Sequence, residues 1–274
     1  MMKKIGLALG GGGAKGLAHV PLLEVLDEAG VKLHVISGTS IGSIMGALYA
    51  SGMSGAEIRE GLDRIIIARG DSIRDLHRKK DAFKILSFID LEFSRGGLLK
   101  SDKFIEYLYG NLGSKTFEEL TTPLKIVATD FWSNEQVILE EGELLPAIQA
   151  SMGLPGVFTP VVRNERVLID GGGVNPVPHD ILQEECDLVI AIDVMGTRKP
   201  SKHPLPNVLR AVLHTFDIMQ NSIIAQRIKA NPPDILIRPD VENVEILEFD
   251  KAPSVYRQAA PAAEHLRREL ERVL

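Results

Sequence analysis

Residues 33–52 leave little freedom to the fold around them. Leu33 to Ser37 is an apolar run that reads as a strand, Ile41 to Ala50 reads as a helix closed by Gly52, and Gly38-Thr39-Ser40-Ile41-Gly42 joins the two. A strand that turns so tightly into a helix lifts the turn residue to the edge of the sheet, and small flanking residues relieve the crowding. The helix then points its positive end at the Ser40 hydroxyl, where it favours developing negative charge. Gly-x-Ser-x-Gly on its own is common and usually marks a plain turn. Here the strand before it and the helix after it make Ser40 a candidate nucleophile.

Elsewhere short apolar runs alternate with longer periodic segments, the pattern of a mostly parallel sheet flanked by helices. Ile5 to Leu9 reads as the first strand. Leu17 to Glu28 follows as a helix with Leu17, Val20, Leu23 and Leu26 on one face, Pro21 in its first turn and Ala29-Gly30 at its end. Further strands are expected at Lys125 to Thr129, Val137 to Leu139, Val167 to Ile169 and Leu188 to Ile192. The 274 residues suit one large α/β domain, here 5–199, with 200–274 as a helical extension packed on it. In the extension, Pro200 to Pro206 reads as a linker. An amphipathic helix over Val208 to Ala230, a short strand over Asp234 to Arg238 and a terminal helix from about Ser254 come next. These read as packing elements without chemistry. Asp71 to Gly97 mixes charge with Phe83, Ile85, Leu86, Phe88 and Ile89, and suits either a lid or a peripheral helix pair.

Between the first strand and the first helix lies Gly11-Gly12-Gly13-Ala14-Lys15-Gly16. Glycines there let the main chain approach a ligand and expose amide hydrogens at a helix N-terminus, which suits a phosphate or a developing oxyanion. A phosphate-binding P-loop would end Gly-Lys-Ser/Thr, whereas this loop ends Lys15-Gly16-Leu17. A dinucleotide fold fits Gly11-x-Gly13-x-x-Gly16 but wants an acid closing the next strand, where Ser37-Gly38-Thr39-Ser40 stands instead. A purely structural turn is the third reading. With Ser40 as nucleophile, amides of Gly12, Gly13 and their neighbours become the oxyanion donors, because both loops close their strands at the same sheet edge.

A serine hydroxyl needs a proton acceptor. A three-residue scheme in the order Ser, Asp, His would take His179, His203, His214 or His265, of which His179 is the serious candidate. A two-residue scheme would use an aspartate directly, and Asp130, Asp170 and Asp193 all follow expected strands. Asp170 stands apart because Gly171-Gly172-Gly173 lets the chain turn sharply and carry the carboxylate to another loop. Asp130 and Asp193 read equally well as loop or helix caps. A base of this kind needs surroundings that raise its proton affinity.

Bulk properties exclude some classes. A net charge of −6 and a pI near 5.7 argue against a nucleic-acid partner, and the runs Arg78-Lys79-Lys80 and Arg267-Arg268 read as solvated surface. Cys186 is the single cysteine, so an intrachain disulfide and a cysteine-rich metal site are both excluded, which fits a reducing compartment. It reads as a buried structural thiol. Lys3-Lys4 before Ile5 to Leu9 imitates a leader, but the glycines from Gly10 cut the apolar stretch short. No window reaches the roughly 18 apolar residues of a membrane span, so a cytoplasmic protein is expected.

Taken together, Gly11 to Gly16, Gly38 to Gly42 and Asp170-Gly171-Gly172 resemble, in order and spacing, the three signatures of patatin-like phospholipases. Ala150-Ser151, Pro155-Gly156-Val157-Phe158 and Asn175-Pro176-Val177-Pro178 are similar to stretches of bacterial members, so the resemblance covers most of residues 5–200. It implies a three-layer α/β/α fold and a Ser40–Asp170 dyad without histidine. It also implies an oxyanion hole from Gly11, Gly12, Gly13 and Ala14, with Gly16, Gly38, Gly42, Gly171 and Gly172 completing the motifs. The implied activity is hydrolysis of acyl esters of lipids or lysophospholipids, with no metal and no cofactor. Met152-Gly153-Leu154 stands where many relatives carry a second serine, a departure that bears on substrate and not on chemistry. An acyltransferase on the same scaffold and a non-catalytic lipid or nucleotide binder are the rival classes. A lipid acyl ester as partner brings an expectation of transient membrane-surface contact through apolar residues between Phe83 and Phe93. Chain length, head group and oligomeric state stay open.

Overall fold

The computed structural model describes residues 3–74, 114–196, 205 and 208–274. Residues 75–97 of the expected lid, the apolar residues from Phe83 to Phe93, Arg78-Lys79-Lys80, His203 and the linker apart from Leu205 lie outside them. Among the described residues eight strands form one sheet: β1 (Ile5–Leu9), β2 (Leu33–Thr39), β3 (Leu124–Asp130), β4 (Gln136–Leu139), β5 (Val161–Arg163), β6 (Arg166–Asp170), β7 (Leu188–Ile192) and β8 (Ile235–Ile237). The hydrogen-bonded path runs β5-β6-β3-β2-β1-β7-β8, with β4 paired to β3. From β3 through β8 the pairings are parallel, whereas β4 and β6 on β3, and β5 on β6, are antiparallel.

The sheet is covered on both faces, and the period of two along its strands sorts their side chains. Leu7 and Leu9 of β1 and Leu188, Ile190 and Ile192 of β7 point into the larger core, while Ala8, Val189 and Ala191 point into a smaller one. The helices are α1 (His19–Glu28), α2 (Ile41–Ala50), α3 (Gly55–Arg74), α4 (Leu144–Ser151), α5 (Val208–Ala230) and α6 (Ala252–Val273). Leu23 of α1, Ile44 of α2, Ile58 of α3, Ala147 of α4 and Leu266 of α6 fill the larger core. Ile224 of α5 and Leu182 of a short helical turn fill the smaller one. The result is a three-layer α/β/α fold.

Several elements differ from the sequence reading. The first helix is α-helical only from His19, because Gly13–Ala18 coils more tightly as a 3₁₀ turn. Residues 71–74 continue α3 instead of opening an irregular stretch. Strand β5, unread from sequence, is three residues long with alternating partial exposure, and joins β6 through Asn164 and Glu165, both at positive φ (50° and 63°) as a two-residue hairpin turn requires. Cys186 is only partly buried; its Sγ lies over the space a side chain at Gly6 would need, and burial pushes its thiol up to about 11.

The register on β3 is what brings distant segments together. Ile126 and Val127 pair with both β2 and β4, and Ala128 and Thr129 pair with both β4 and β6. A strand has two edges, so β4 occupies one while β2 and β6 follow each other along the other. Thr39 therefore pairs with Val127 and Asp170 with the next residue, Ala128.

Candidate active site

Ser40 sits between β2 and α2 at φ 53° and ψ −123°, a conformation costly for a residue with a side chain. Close contacts explain its glycine neighbours. A Cβ at Gly42 would lie 2.1 Å from the Leu9 carbonyl oxygen, and one at Gly38 would lie 2.5 Å from that of Gly42. Every main-chain polar group of Ser40 is committed: its N–H donates to Ser151 Oγ at 2.8 Å, and its carbonyl accepts from Ser43 N–H at 2.8 Å and Ser43 Oγ at 2.6 Å. Ser151, at the end of α4, donates onward to the Val127 carbonyl at 2.6 Å. The backbone is fixed, and the hydroxyl is left to reach Asp170.

Asp170 closes β6 and is 3% exposed. Its main chain is held by Gly153 O, which accepts the Asp170 N–H at 3.1 Å, and by Thr129 Oγ1, which donates to the Asp170 carbonyl at 2.8 Å. Asp170 Oδ1 accepts from the Gly172 N–H at 2.7 Å, and the Ser40 hydroxyl lies near enough to favour the ionised carboxylate. Burial raises its pKa to about 6, against the opposing pull of the Gly172 amide and the Ser40 hydroxyl. Gly171 packs against the elbow, since a Cβ there would meet Val127 O at 2.2 Å and Thr39 Cγ2 at 3.1 Å.

The glycine loop backs onto the same serine. A Cβ on Gly11 would stand 3.4 Å from Ser40 Cβ, and one on Gly16 would run into Ile41 at 2.3 Å. Of the four expected oxyanion donors, two amides are already engaged: Gly11 N–H donates to Pro176 O and Ala14 N–H to Ile246 O, each at 2.9 Å. The amides of Gly12 and Gly13 have no partner among the described residues. Both residues are partly exposed, as is Ser40, whereas Gly11 and Ala14 are buried. The nest of four narrows to two at an open mouth, beside the orphan amides that begin α2.

Other candidates are placed elsewhere. Both ring nitrogens of buried His179 face main-chain carbonyls, Val177 O at 2.9 Å and Asn231 O at 2.7 Å, so it is tied to the frame and not to Ser40. His214 and His265 lie beside Asp217 and Glu269 on helix surfaces. Asp130 caps a turn through Trp132 and Ser133 N–H, and Asp193 holds Met195 N–H and Arg238. Among the described residues no group of three or more ligating side chains gathers as a metal site would need.

Sequence reasoning passed over several supports. The 175–178 segment accepts at successive positions, from Thr39 Oγ1 at Asn175 O (2.8 Å), Gly11 N–H at Pro176 O and Ser37 Oγ at Pro178 O (2.7 Å), so one stretch pins both loops. Lys15 is buried and donates to the Met195 carbonyl. His19, fully buried, donates from Nε2 to Gly10 O at 2.9 Å, and burial pushes its pKa down to about 4, which keeps it neutral. A histidine three residues past a glycine loop was the available signal.

A sequence model described as patatin-like phospholipase matches residues 7–182. The chain belongs to the patatin-like phospholipase family. An uncharacterised NTE family protein of Mycobacterium tuberculosis is 31% identical over 207 residues, covering 75% of this chain and 53% of that protein. The lysophospholipase NTE1 of Kluyveromyces lactis is 28% identical over 277 residues, covering 92% of this chain and 18% of its own length. The chain thus spans about half of the mycobacterial relative and a smaller part of the yeast one. Among solved structures, VipD from Legionella pneumophila aligns with a TM-score of 0.49 at 14% identity, over 96% of this chain and 67% of that one.

Proposed function

We propose that this chain hydrolyses acyl esters of lipids or lysophospholipids, with Ser40 as nucleophile, Asp170 as general base and the amides of Gly12 and Gly13 holding the oxyanion. The observation that carries the reading is the register that sets the Ser40 elbow beside a buried Asp170, whose pKa burial raises to about 6. Such a carboxylate is mostly ionised at neutral pH yet basic enough to take a proton, the compromise general-base catalysis requires. Asp170 removes the hydroxyl proton as Ser40 attacks the ester carbonyl, the glycine amides stabilise the oxyanion, and the alcohol leaves with that proton. Water activated by the same carboxylate then cleaves the acyl-enzyme. The family match and the lysophospholipase named among the relatives support lipid esters as the substrate class. The same reading has the protein act from the cytoplasm and touch a membrane surface transiently, because its substrates reside there.

A fluorophosphonate probe tests the nucleophile: it should label the native protein at Ser40 and leave Ser40→Ala unlabelled. Equal labelling of both would end the proposal. Against a panel of acyl esters of graded length and head group, Asp170→Asn should be inactive while a folded His179→Ala variant keeps most activity. Selective loss in the histidine variant would restore the three-residue scheme.

A further inference from the structure

Gln220 lies on α5, in the extension that sequence reading leaves without chemistry, yet it is 5% exposed. Glutamine is a residue type mostly found at the surface. A Cβ at Gly172 would meet Gln220 Nε2 at 1.7 Å and Asp170 Oδ1 at 2.9 Å, so the carboxamide stands against the aspartate turn and beside the carboxylate. It has no hydrogen-bond partner among the described residues. The helix is anchored there: Ile224, one turn on, fills the smaller core, and Arg227 binds Asp180 Oδ2 at 2.6 Å and Val174 O at 3.1 Å. The side chain is firmly held, and its carboxamide, bonded to no described residue, can take up a water beside the Asp170 carboxylate.

We propose that Gln220 is a positioning residue for the water that cleaves the acyl-enzyme, an inference that rests on the hydrolase reading above. In that step the water oxygen bonds to the acyl carbon while one water proton passes to Asp170. The tetrahedral species then expels Ser40 Oγ, which takes this proton back, and the free carboxylic acid leaves. Gln220 accepts the second water hydrogen through its amide oxygen, which a half-turn of the last side-chain torsion presents in place of Nε2, and so aims the attacking lone pair.

The test uses the full chain and a medium-chain p-nitrophenyl ester, an activated substrate whose acylation outruns deacylation. Gln220→Leu should release a stoichiometric burst of p-nitrophenol at the native rate, then turn over about tenfold more slowly, the loss expected from one hydrogen bond made in the transition state. An unchanged steady rate, or equal loss of burst and steady rates, overturns the proposal. Gln220→Glu sets a second carboxyl beside Asp170 and should move the rising limb of the pH–rate profile up by about a unit. No such shift also overturns it, even where the leucine variant does not fold. Native protein that releases no p-nitrophenol and takes no label at Ser40 fails the hydrolase reading first, and this inference with it.

Discussion

Replacing Asp170 by asparagine should stabilise the protein at neutral pH while removing its activity. Asp170 is buried, and its pKa rises from 3.8 to about 6 on folding. The folded state thus holds a proton that the unfolded chain has already released, and stability falls as pH rises between those values. Two units at roughly 1.4 kcal/mol each make a loss of about 3 kcal/mol from this group, complete above the folded pKa. Asparagine carries no charge to desolvate, and its amide oxygen can still accept from Gly172 N–H. The stability difference, Asp170→Asn minus native, should therefore grow by about 2.5 kcal/mol from roughly pH 4 to pH 7, equivalent to about 5–10 °C in Tm for a chain of this size. Urea denaturation of both proteins across that range measures it directly. A difference that does not change with pH would refute the claim that burial raises the proton affinity of this carboxylate.

Three further outcomes follow from the same geometry. Because the base must be ionised, kcat/KM for a soluble ester should rise with pH through a midpoint near 6 and level above it; a flat profile from about pH 4.5 to 8 would remove Asp170 as base. Ser40→Gly should be more stable than Ser40→Ala by about 1 kcal/mol, since glycine accepts φ 53°, ψ −123° without strain; denaturation midpoints compare them. Ser151→Ala removes both the acceptor for Ser40 N–H and the donor to Val127 O. It should lower stability by about 1–3 kcal/mol and turnover roughly tenfold while Ser40 still labels with fluorophosphonate, and an unaltered turnover number would deny Ser151 this role.

The elements legible in sequence are those whose pattern is local. Strand β1, helix α2, strand β7 and helix α5 have the residue limits that their apolar runs and flanking glycine, aspartate or proline residues indicate. The candidates Ser40 and Asp170 were legible for the same reason, each standing where an apolar run gives way to a glycine-bearing turn. The antiparallel direction of β6 was not, because alternation along a strand reads the same in both senses, and β5 was too short and too polar to register. Nor could spacing reveal that Ser151 holds the Ser40 amide or that Gln220 lies over Gly172, since those contacts join segments over 45 residues apart through the packing of whole helices. The engagement of two of the four loop amides depended on carbonyls of Pro176 and Ile246, remote acceptors with no signature of their own.

One strand serves as the ruler between Ser40 and Asp170. Val127 and Ala128 are consecutive, and along a shared edge the first pairs with Thr39, the neighbour of Ser40, and the second with Asp170 itself. Long insertions into the connections before or after β3 would leave that spacing untouched, whereas a single extra residue within it would flip one partner to the far face of the sheet. Lineages built on this frame are free to elaborate their loops and appendages extensively, but they have almost no latitude in seven residues at its centre.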